Sequence, residues 1–318
     1  LVEHDAFTAH VLPPRTIEKP TVSVAPTLGN RAYEMLVHGQ NILYFPGLAS
    51  PQAAGLNAVP FLAPWANRLD EQGFWANGKH YAFDMALGNV RGATPLHGLL
   101  TAAKGWRVTD ASADAQSAHV TSRFEFWRYP DLMAQWPFAH EYEMTYRLSG
   151  GTLEVAISVT NLSTEPMPVV LGFHPYFRIP DVPRDEWKGR VPARQHVVAD
   201  QRLIPTGEMQ PTNLADPFDL KGLTLDDGYT DLIRDAQGLA HFSIEARGKK
   251  VEVLFGKEYK VGLVWEPNGQ PAEFICFEPM TAITNAVNLE HAGKYSGVPK
   301  FAPGAKWSES FWIRSTGF

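Results

Sequence analysis

Apolar and polar residues alternate with a period of two through the middle of the chain. Tyr142, Met144, Tyr146 and Leu148 run up to Ser149-Gly150-Gly151, and Leu153, Val155, Ile157 and Val159 alternate again beyond it. A period of two places successive side chains on opposite faces of a strand, so this stretch predicts a β-hairpin closed by a glycine turn. Further strand-like runs are Val169 to Phe173, His241 to Glu245, Val251 to Phe255, Val261 to Trp265 and Phe274 to Phe277, separated at short intervals by turn-forming residues. The chain has 26 Gly and 25 Pro, which break helices, so long helices are expected to be rare. The expected fold is all-β, a large antiparallel β-sandwich. No fixed-period repeat points to a propeller or solenoid, and no Ser/Gly linker or charge run divides the chain, so residues 1–318 are read as a single domain. Ile179 to Lys188, with prolines and mixed charge, reads as an exposed excursion, and Met280 to Leu289 is the one short helical candidate.

Composition narrows the class. A length of 318 residues would by itself favour two domains, but large all-β architectures are the standing exception. With 44% hydrophobic and 19% charged residues the chain matches neither a disordered segment nor a membrane protein, and its longest apolar stretches, Val59 to Ala66 and Met167 to Phe173, fall well short of a spanning helix. No membrane partner is expected. The net charge is −6 and no basic run offers the stripe that a phosphate backbone requires, so nucleic acid is not an expected partner either. Cys276 is the sole cysteine, which excludes an intramolecular disulfide and any Cys-based zinc cluster. The sequence begins at Leu1 and not at Met; the cytoplasm is the favoured compartment, with periplasmic export as the alternative, and either a monomer or a homodimer is expected.

Four apolar, turn-rich neighbourhoods carry ionisable residues whose burial would be costly if they were idle. Arg68 ends the run from Val59 and must satisfy five donors, either on a structural carboxylate or on a polar ligand. His97 lies in Thr94-Pro95-Leu96-His97-Gly98, and His174 lies in Leu171-Gly172-Phe173-His174-Pro175, where the following proline forces an extended backbone. A single histidine on an apolar strand is more often a hydrogen-bonded core residue than a catalyst, and two such sites shift that balance only modestly. Glu278 ends the strand-like run from Phe274, either as a general base or as a glutamate facing water before Pro279. His97, His174 and a carboxylate would make a metal triad, as in a cupin-like enzyme, but no short-range His-x-His or His-Glu-x-x-His spacing supports it. His140 and Glu141 are strand neighbours and face opposite sides. The chain has no nucleophile elbow, phosphate-cradling glycine loop or dinucleotide fingerprint, so no cofactor is expected. The nine Trp read mostly as packing, and Asn161-Leu162-Ser163 fits the glycosylation sequon.

Taken together and in order, these motifs resemble the aldose 1-epimerase (galactose mutarotase) family. They are Pro64-Trp65-Ala66-Asn67-Arg68-Leu69, Gly73-Phe74-Trp75-Ala76-Asn77-Gly78, Leu96-His97-Gly98, Asn161 through Pro168 into Gly172-Phe173-His174-Pro175-Tyr176-Phe177, Glu278-Pro279 and Ala302-Pro303-Gly304. The resemblance runs from about Asn67 to the C-terminus and is most specific from Asn161 to Phe177. It implies a galactose mutarotase-like supersandwich whose concave face holds a sugar without metal or cofactor. It further implies His174 as general acid and Glu278 as general base, with His97 and Arg68 holding and polarising the sugar oxygens. The segment Leu225-Asp226-Asp227-Gly228-Tyr229 resembles the one that carries a sugar-binding aspartate, aligned on Asp226 with Asp227 as the alternative. Leu99-Leu100-Thr101-Ala102-Ala103 stands where the family usually has small residues after the histidine, and Trp136-Pro137-Phe138 is similar to the hexose-phosphate branch.

Interconverting α and β anomers requires one base on the anomeric hydroxyl and one acid on the ring oxygen, exchanging roles when the open aldehyde recloses. The sequence reading is therefore an aldose 1-epimerase acting on free hexoses such as galactose or glucose. A hexose 6-phosphate epimerase is the alternative, requiring cations from among Arg68, Arg91, Lys104 and Arg128 at the pocket rim, and a noncatalytic carbohydrate-binding sandwich is the second.

Overall fold

The computed structural model describes residues 2–4, 7–12, 20–86, 89–212, 214–267 and 273–318. Two large antiparallel sheets dominate. The nine-stranded sheet runs in the order Arg107–Ala113, Ser117–Glu125, His140–Ser149, Thr152–Asn161, Lys306–Thr316, Lys249–Phe255, Ala240–Ala246, Lys188–Arg190 and Phe218–Asp219. The other sheet runs Pro205–Pro211, Ala193–Ala199, Leu225–Leu232, Val261–Glu266, Ile275–Met280, Gly172–Phe173 and Phe61–Leu62, with Tyr176–Phe177 also pairing onto Ile275–Met280. A separate five-stranded antiparallel sheet is built from strands between Val2 and Asn41.

The expected hairpin is present and its register follows from its turn. His140–Ser149 pairs with Thr152–Asn161, Ser149 opposite Thr152, and the two loop residues Gly150 and Gly151 have φ of 54° and 80°. A two-residue turn with both φ values positive matches the twist of the strands it joins, and glycine takes it without a Cβ penalty. Alternate residues then face the core: Tyr142, Met144, Tyr146 and Leu148 are buried, as are Leu153, Val155, Ile157 and Val159. The two sheets pack face to face through aromatic contacts, Phe173 on Phe311 at 4.9 Å between centroids, Phe61 on Tyr142 at 5.2 Å and Phe242 on Phe277 at 5.6 Å. Gly262 faces the same core, where a Cβ would lie 2.3 Å from the Phe242 ring.

Three sequence expectations change. Val169 to Phe173 is not one strand: Met167–Pro168 pairs with Lys300–Phe301, Gly172–Phe173 pairs with Phe61–Leu62, and Val170 bridges to Trp65. The run changes partner along its length, from the Lys300–Phe301 strand to Trp65 and then to Phe61–Leu62, so no single ladder spans it. Ile179 to Lys188 is not simply an exposed excursion, because Ile179, Val182 and Trp187 are buried in the main core while Asp181, Pro183, Asp185, Glu186 and Lys188 face out. Met280 ends a strand, and the helix begins later, at Ala286–His291.

The sequon at Asn161 is a structural residue. Its side chain is fully buried and donates through Nδ2 to the carbonyls of Glu165 and Phe301, at 3.0 and 2.8 Å. A glycan there would displace both bonds.

Candidate active site

The apolar run that ends at Arg68 does not continue as a strand; it turns against the His97 segment. Asn67 adopts φ of 56° and its carbonyl accepts the His97 N–H at 2.9 Å, while Leu69 N–H donates to Pro95 and Leu99 N–H donates to Ala63. His97 itself sits at φ 62°. Left-handed backbone is uncommon for residues with a side chain, costs about 1–3 kcal/mol and concentrates at functional sites. Gly98 is required beside it: at φ 66°, a Cβ there would lie 2.2 Å from the Ala63 carbonyl oxygen. The Leu99-Leu100-Thr101 departure from the family pattern is accommodated, since Leu99 and Leu100 both donate to that same carbonyl and Thr101 accepts from Arg31.

The remaining groups come from the Gly172–Phe173 edge and three neighbouring strands. His174 N–H donates to the Pro60 carbonyl, its ring stacks on Tyr176 at 4.7 Å, and its Nε2 lies 3.1 Å from Oε1 of Glu278. The cross-strand register sets Asp226 opposite Trp265, Trp265 opposite Cys276, and Cys276 opposite Tyr176, with Glu278 opposite Leu263. Residues directly across a ladder share a face, as do residues two apart along a strand. Asp226, Trp265, Tyr176 and Glu278 therefore project from the face turned away from the core. Asp227 pairs with Val264 on the other face, so of the two aspartates Asp226 is the one that shares a face with Glu278.

Asp226 Oδ2 meets Arg68 Nη2 at 3.3 Å, Arg68 Nη1 donates to Asn67 Oδ1 at 2.9 Å, and the His97 ring lies edge-on to His174 at 5.2 Å. His174, Glu278, His97, Arg68 and Asp226 are thus brought into one cluster. Among the described residues no group of three or more His, Cys, Asp and Glu is arranged to hold a metal ion.

Burial dominates the electrostatics. It pushes the Glu278 carboxyl well above the usual carboxylate range, with Asp226 acting the same way and Arg68 opposing. It pulls the His174 imidazole down to about 3, helped by Arg68. His97 is held well below its ordinary value by burial, then by His174, Arg68 and Arg91. Asp226 is raised by burial against the pull of Arg68. A buried carboxylate disfavours its anion and a buried imidazole its cation, so the His174–Glu278 pair holds one proton between two sites. Their 3.1 Å approach lies within ion-pair range but is not aligned as a hydrogen bond, and both Glu278 oxygens are without a hydrogen-bond partner among the described residues. The Nδ1 atoms of His97 and His174 are likewise unpartnered. Buried polar atoms are rarely left unpaired, and four in one cluster, on groups that accept or donate, suit a polyhydroxylated ligand.

Access is narrow. Glu278 is 0% exposed and His174 4%. A cavity of about 20 Å³, lined by Arg68, Asp226, Leu263, Met280 and Thr284, lies on the same face, and Arg68 divides it from an outer cleft of about 650 Å³ lined also by Arg91, Thr94, Gln201 and Arg202. Of the four cations named at the sequence level, Arg68 and Arg91 converge on this cleft. Lys104 lines a separate hollow with Leu99 and Tyr129, and Arg128 pairs with Glu125 over the Trp127 ring.

Several supporting residues carry no signature in the sequence. Asn285 Oδ1 accepts from Asp70 N–H and Asn285 N–H donates to the Arg68 carbonyl, while Asn288 donates to the carbonyls of Asp70 and Gly73. The short helix therefore braces the arginine segment. Arg31, fully buried, donates to the carbonyls of Gly55 at 2.7 Å and Thr101 at 2.6 Å and to Asn57 Oδ1 at 2.9 Å, tying the loop after His97 to the one before Pro60. Trp265 is half-buried and stands edge-on to His174 at 5.7 Å, on the face that carries Glu278.

The sequence model of the aldose 1-epimerase family matches residues 35–314. Among solved structures, a galactose mutarotase-like protein of Clostridium acetobutylicum superposes with a TM-score of 0.84 over 99% of this chain and 100% of that one, at 21% identity. The Slr1438 protein of Synechocystis sp. PCC 6803 superposes with a TM-score of 0.75 at 25% identity, covering 98% of this chain and 96% of the other. The protein YihR of Escherichia coli K12 is 28% identical over 147 residues, which span 46% of this chain and 44% of that relative, less than half its length.

Proposed function

We propose that this chain, which belongs to the aldose 1-epimerase family, interconverts the α and β anomers of an aldohexose by acid–base ring opening and closure. The observation that carries the reading is the 3.1 Å approach of His174 Nε2 to Glu278 Oε1 inside a buried cluster whose remaining polar atoms are unpartnered. In this mechanism Glu278 takes the proton of the anomeric hydroxyl while His174 delivers one to the ring oxygen, and the bond between the anomeric carbon and the ring oxygen breaks. The resulting aldehyde rotates about its first C–C bond. The ring oxygen then attacks the other face, returning its proton to His174 as Glu278 protonates the new anomeric oxygen.

Burial by itself favours the proton on Glu278 over His174, whereas this direction of attack needs it on His174. The two distributions differ by one transfer across the pair, and each supplies one acid and one base. Arg68 and His97, at the same end of the cluster, are assigned to the sugar hydroxyls and ring oxygen, where a guanidinium in a water-poor site stabilises charge developing on oxygen. Asp226 holds Arg68 and accepts from a hydroxyl through its free oxygen. A noncatalytic sugar-binding sandwich fits less well, because binding alone gives no reason to bury a carboxyl and an imidazole against each other at the cost of desolvating both.

The direct test follows freshly dissolved α-galactose, α-glucose and α-glucose 6-phosphate by polarimetry or anomeric proton NMR. Acceleration of at least one of them is expected, and uncatalysed rates for all three would end the proposal.

A further inference from the structure

The imidazole of His174 is held by rings and not by hydrogen bonds. Its Nδ1 has no hydrogen-bond partner among the described residues, and the 3.1 Å approach of its Nε2 to Glu278 is not aligned as a hydrogen bond. A catalytic histidine is ordinarily fixed by the hydrogen bond that its other nitrogen makes, often to a backbone carbonyl or a carboxylate. Here three rings take that place. Tyr176 lies face to face with the imidazole, at 4.7 Å and 9°, while Trp265 and His97 meet it edge-on at 74°, 5.7 and 5.2 Å away. Tyr176 is itself firmly placed: its N–H donates to the Ala58 carbonyl, its carbonyl accepts from Tyr44, and it stands opposite Cys276 in the sheet. His174, two residues earlier, donates to the Pro60 carbonyl, so both members of the stack are anchored on the same short segment.

A ring stacked face-on does more than fill space. The face of an aromatic ring is the negative part of its quadrupole, and a cation within about 6 Å of the centroid is attracted to it, most strongly where water is excluded. The other surroundings of His174 work against its cation. Burial holds the imidazole at about 3, and Arg68 adds to the fall while its own backbone opposes it. His97 and His174 disfavour charge on each other, and burial drives the Glu278 carboxyl toward its neutral form. The Tyr176 hydroxyl and the Cys276 thiol are both pushed well above their ordinary values by burial, so each stays neutral beside the imidazole.

We infer that Tyr176 is a positioning residue for the reaction: the face of its ring fixes the plane of the His174 imidazole and favours the imidazolium that forms whenever His174 carries the proton. The inference rests on the acid–base reading for that role of His174. It gives the tyrosine a task that depends on its ring and not on its hydroxyl.

The test measures kcat and KM separately, on whichever of α-galactose, α-glucose and α-glucose 6-phosphate is turned over fastest. It compares the wild type, Tyr176→Leu, Tyr176→Phe and chains carrying singly, doubly and triply fluorinated phenylalanine at position 176, which keep the ring's shape while draining negative charge from its face. In Tyr176→Leu kcat should fall by at least ~10-fold with KM changed by no more than about twofold, the pattern of a contact that matters only as the proton moves. Tyr176→Phe should recover to within about threefold of the wild type, and kcat should decline with each added fluorine. A wild-type kcat in Tyr176→Leu, a Tyr176→Phe variant as slow as Tyr176→Leu, or a level series across the fluorinated rings overturns the inference while leaving the epimerase reading intact. If no sugar is turned over, the epimerase reading falls, and crystal structures decide the placement alone, with Tyr176→Met in place of Tyr176→Leu should the latter fail to fold. A His174 ring rotated away in the aliphatic variant and in place in Tyr176→Phe supports the role, and a ring unmoved in the aliphatic variant overturns it.

Discussion

Arg68 Nη2 lies 3.3 Å from Asp226 Oδ2, and this contact joins two distant stretches of chain that both line the inner cavity. The guanidinium side chain is 8% exposed and the carboxylate 23%, so neither is fully solvated and each depends on the other. Arg68→Ala leaves Asp226 without this partner and removes the cation that the proposed mechanism sets beside the ring oxygen. We expect kcat/KM for mutarotation to fall by ~100-fold or more, with KM and kcat both affected. Steady-state NMR exchange rates check this, and a wild-type rate would return Arg68 to a purely structural pairing.

Glu278→Gln and His174→Asn each remove one member of the proposed proton-transfer pair with little change of volume. Each should slow anomer interconversion by at least ~100-fold, the low end for a lost acid or base. Because the pair acts as a unit, the double variant should be scarcely worse than either single one. Additive losses would show that the two residues act independently.

Gly98 is held at φ 66° against the Ala63 carbonyl, where a methyl group has no room. Gly98→Ala should push the His97 segment off its partner and lower mutarotation more than it lowers stability. Rates are to be compared with the midpoint of urea unfolding. Unchanged activity would mean that the left-handed turn does not position His97.

Arg31 is enclosed by carbonyls and pairs with no carboxylate among the described residues, and burial lowers its pKa to about 10. Replacing it with Met strands several buried acceptors, each worth ~1–3 kcal/mol. A loss of at least ~3 kcal/mol in unfolding free energy is expected, and a loss under 1 kcal/mol would rule out the clamp.

His140 is fully buried, with its ring stacked on Phe126 at 4.2 Å and Nδ1 at 2.6 Å from the Phe138 carbonyl, and burial lowers its pKa to about 4. In the unfolded chain it protonates near the ordinary 6.5, so the folded state binds fewer protons between those values. Its stabilisation is complete above about pH 6.5 and is lost as the pH falls toward 4, amounting to roughly 3 kcal/mol over the window. Denaturation at a series of pH values should show a shallower acid decline in His140→Leu than in the wild type. Parallel curves would mean that His140 is charged in the folded protein.

The period-two pattern and the glycine turn specified the hairpin from His140 to Asn161, because alternation fixes which side chains are buried and a two-residue glycine turn fixes the register. Apolar runs ending in Arg68, His174 and Glu278 were visible as places where an ionisable group would be buried, and family motifs named the set. Arg31, Asn285 and Asn288 carried no such mark, since a polar residue that braces a distant loop looks locally like any surface residue. Only the folded sheet set Asp226, and not Asp227, on the face that carries Glu278, as the face a strand residue takes depends on its cross-strand register. Likewise, only tertiary packing closed 3.1 Å between His174 and Glu278, withdrew both from water and brought Arg91 to the same outer cleft as Arg68. Local sequence dictates backbone period and turn geometry, whereas desolvation and charge balance are sums over neighbours that the chain acquires when it folds.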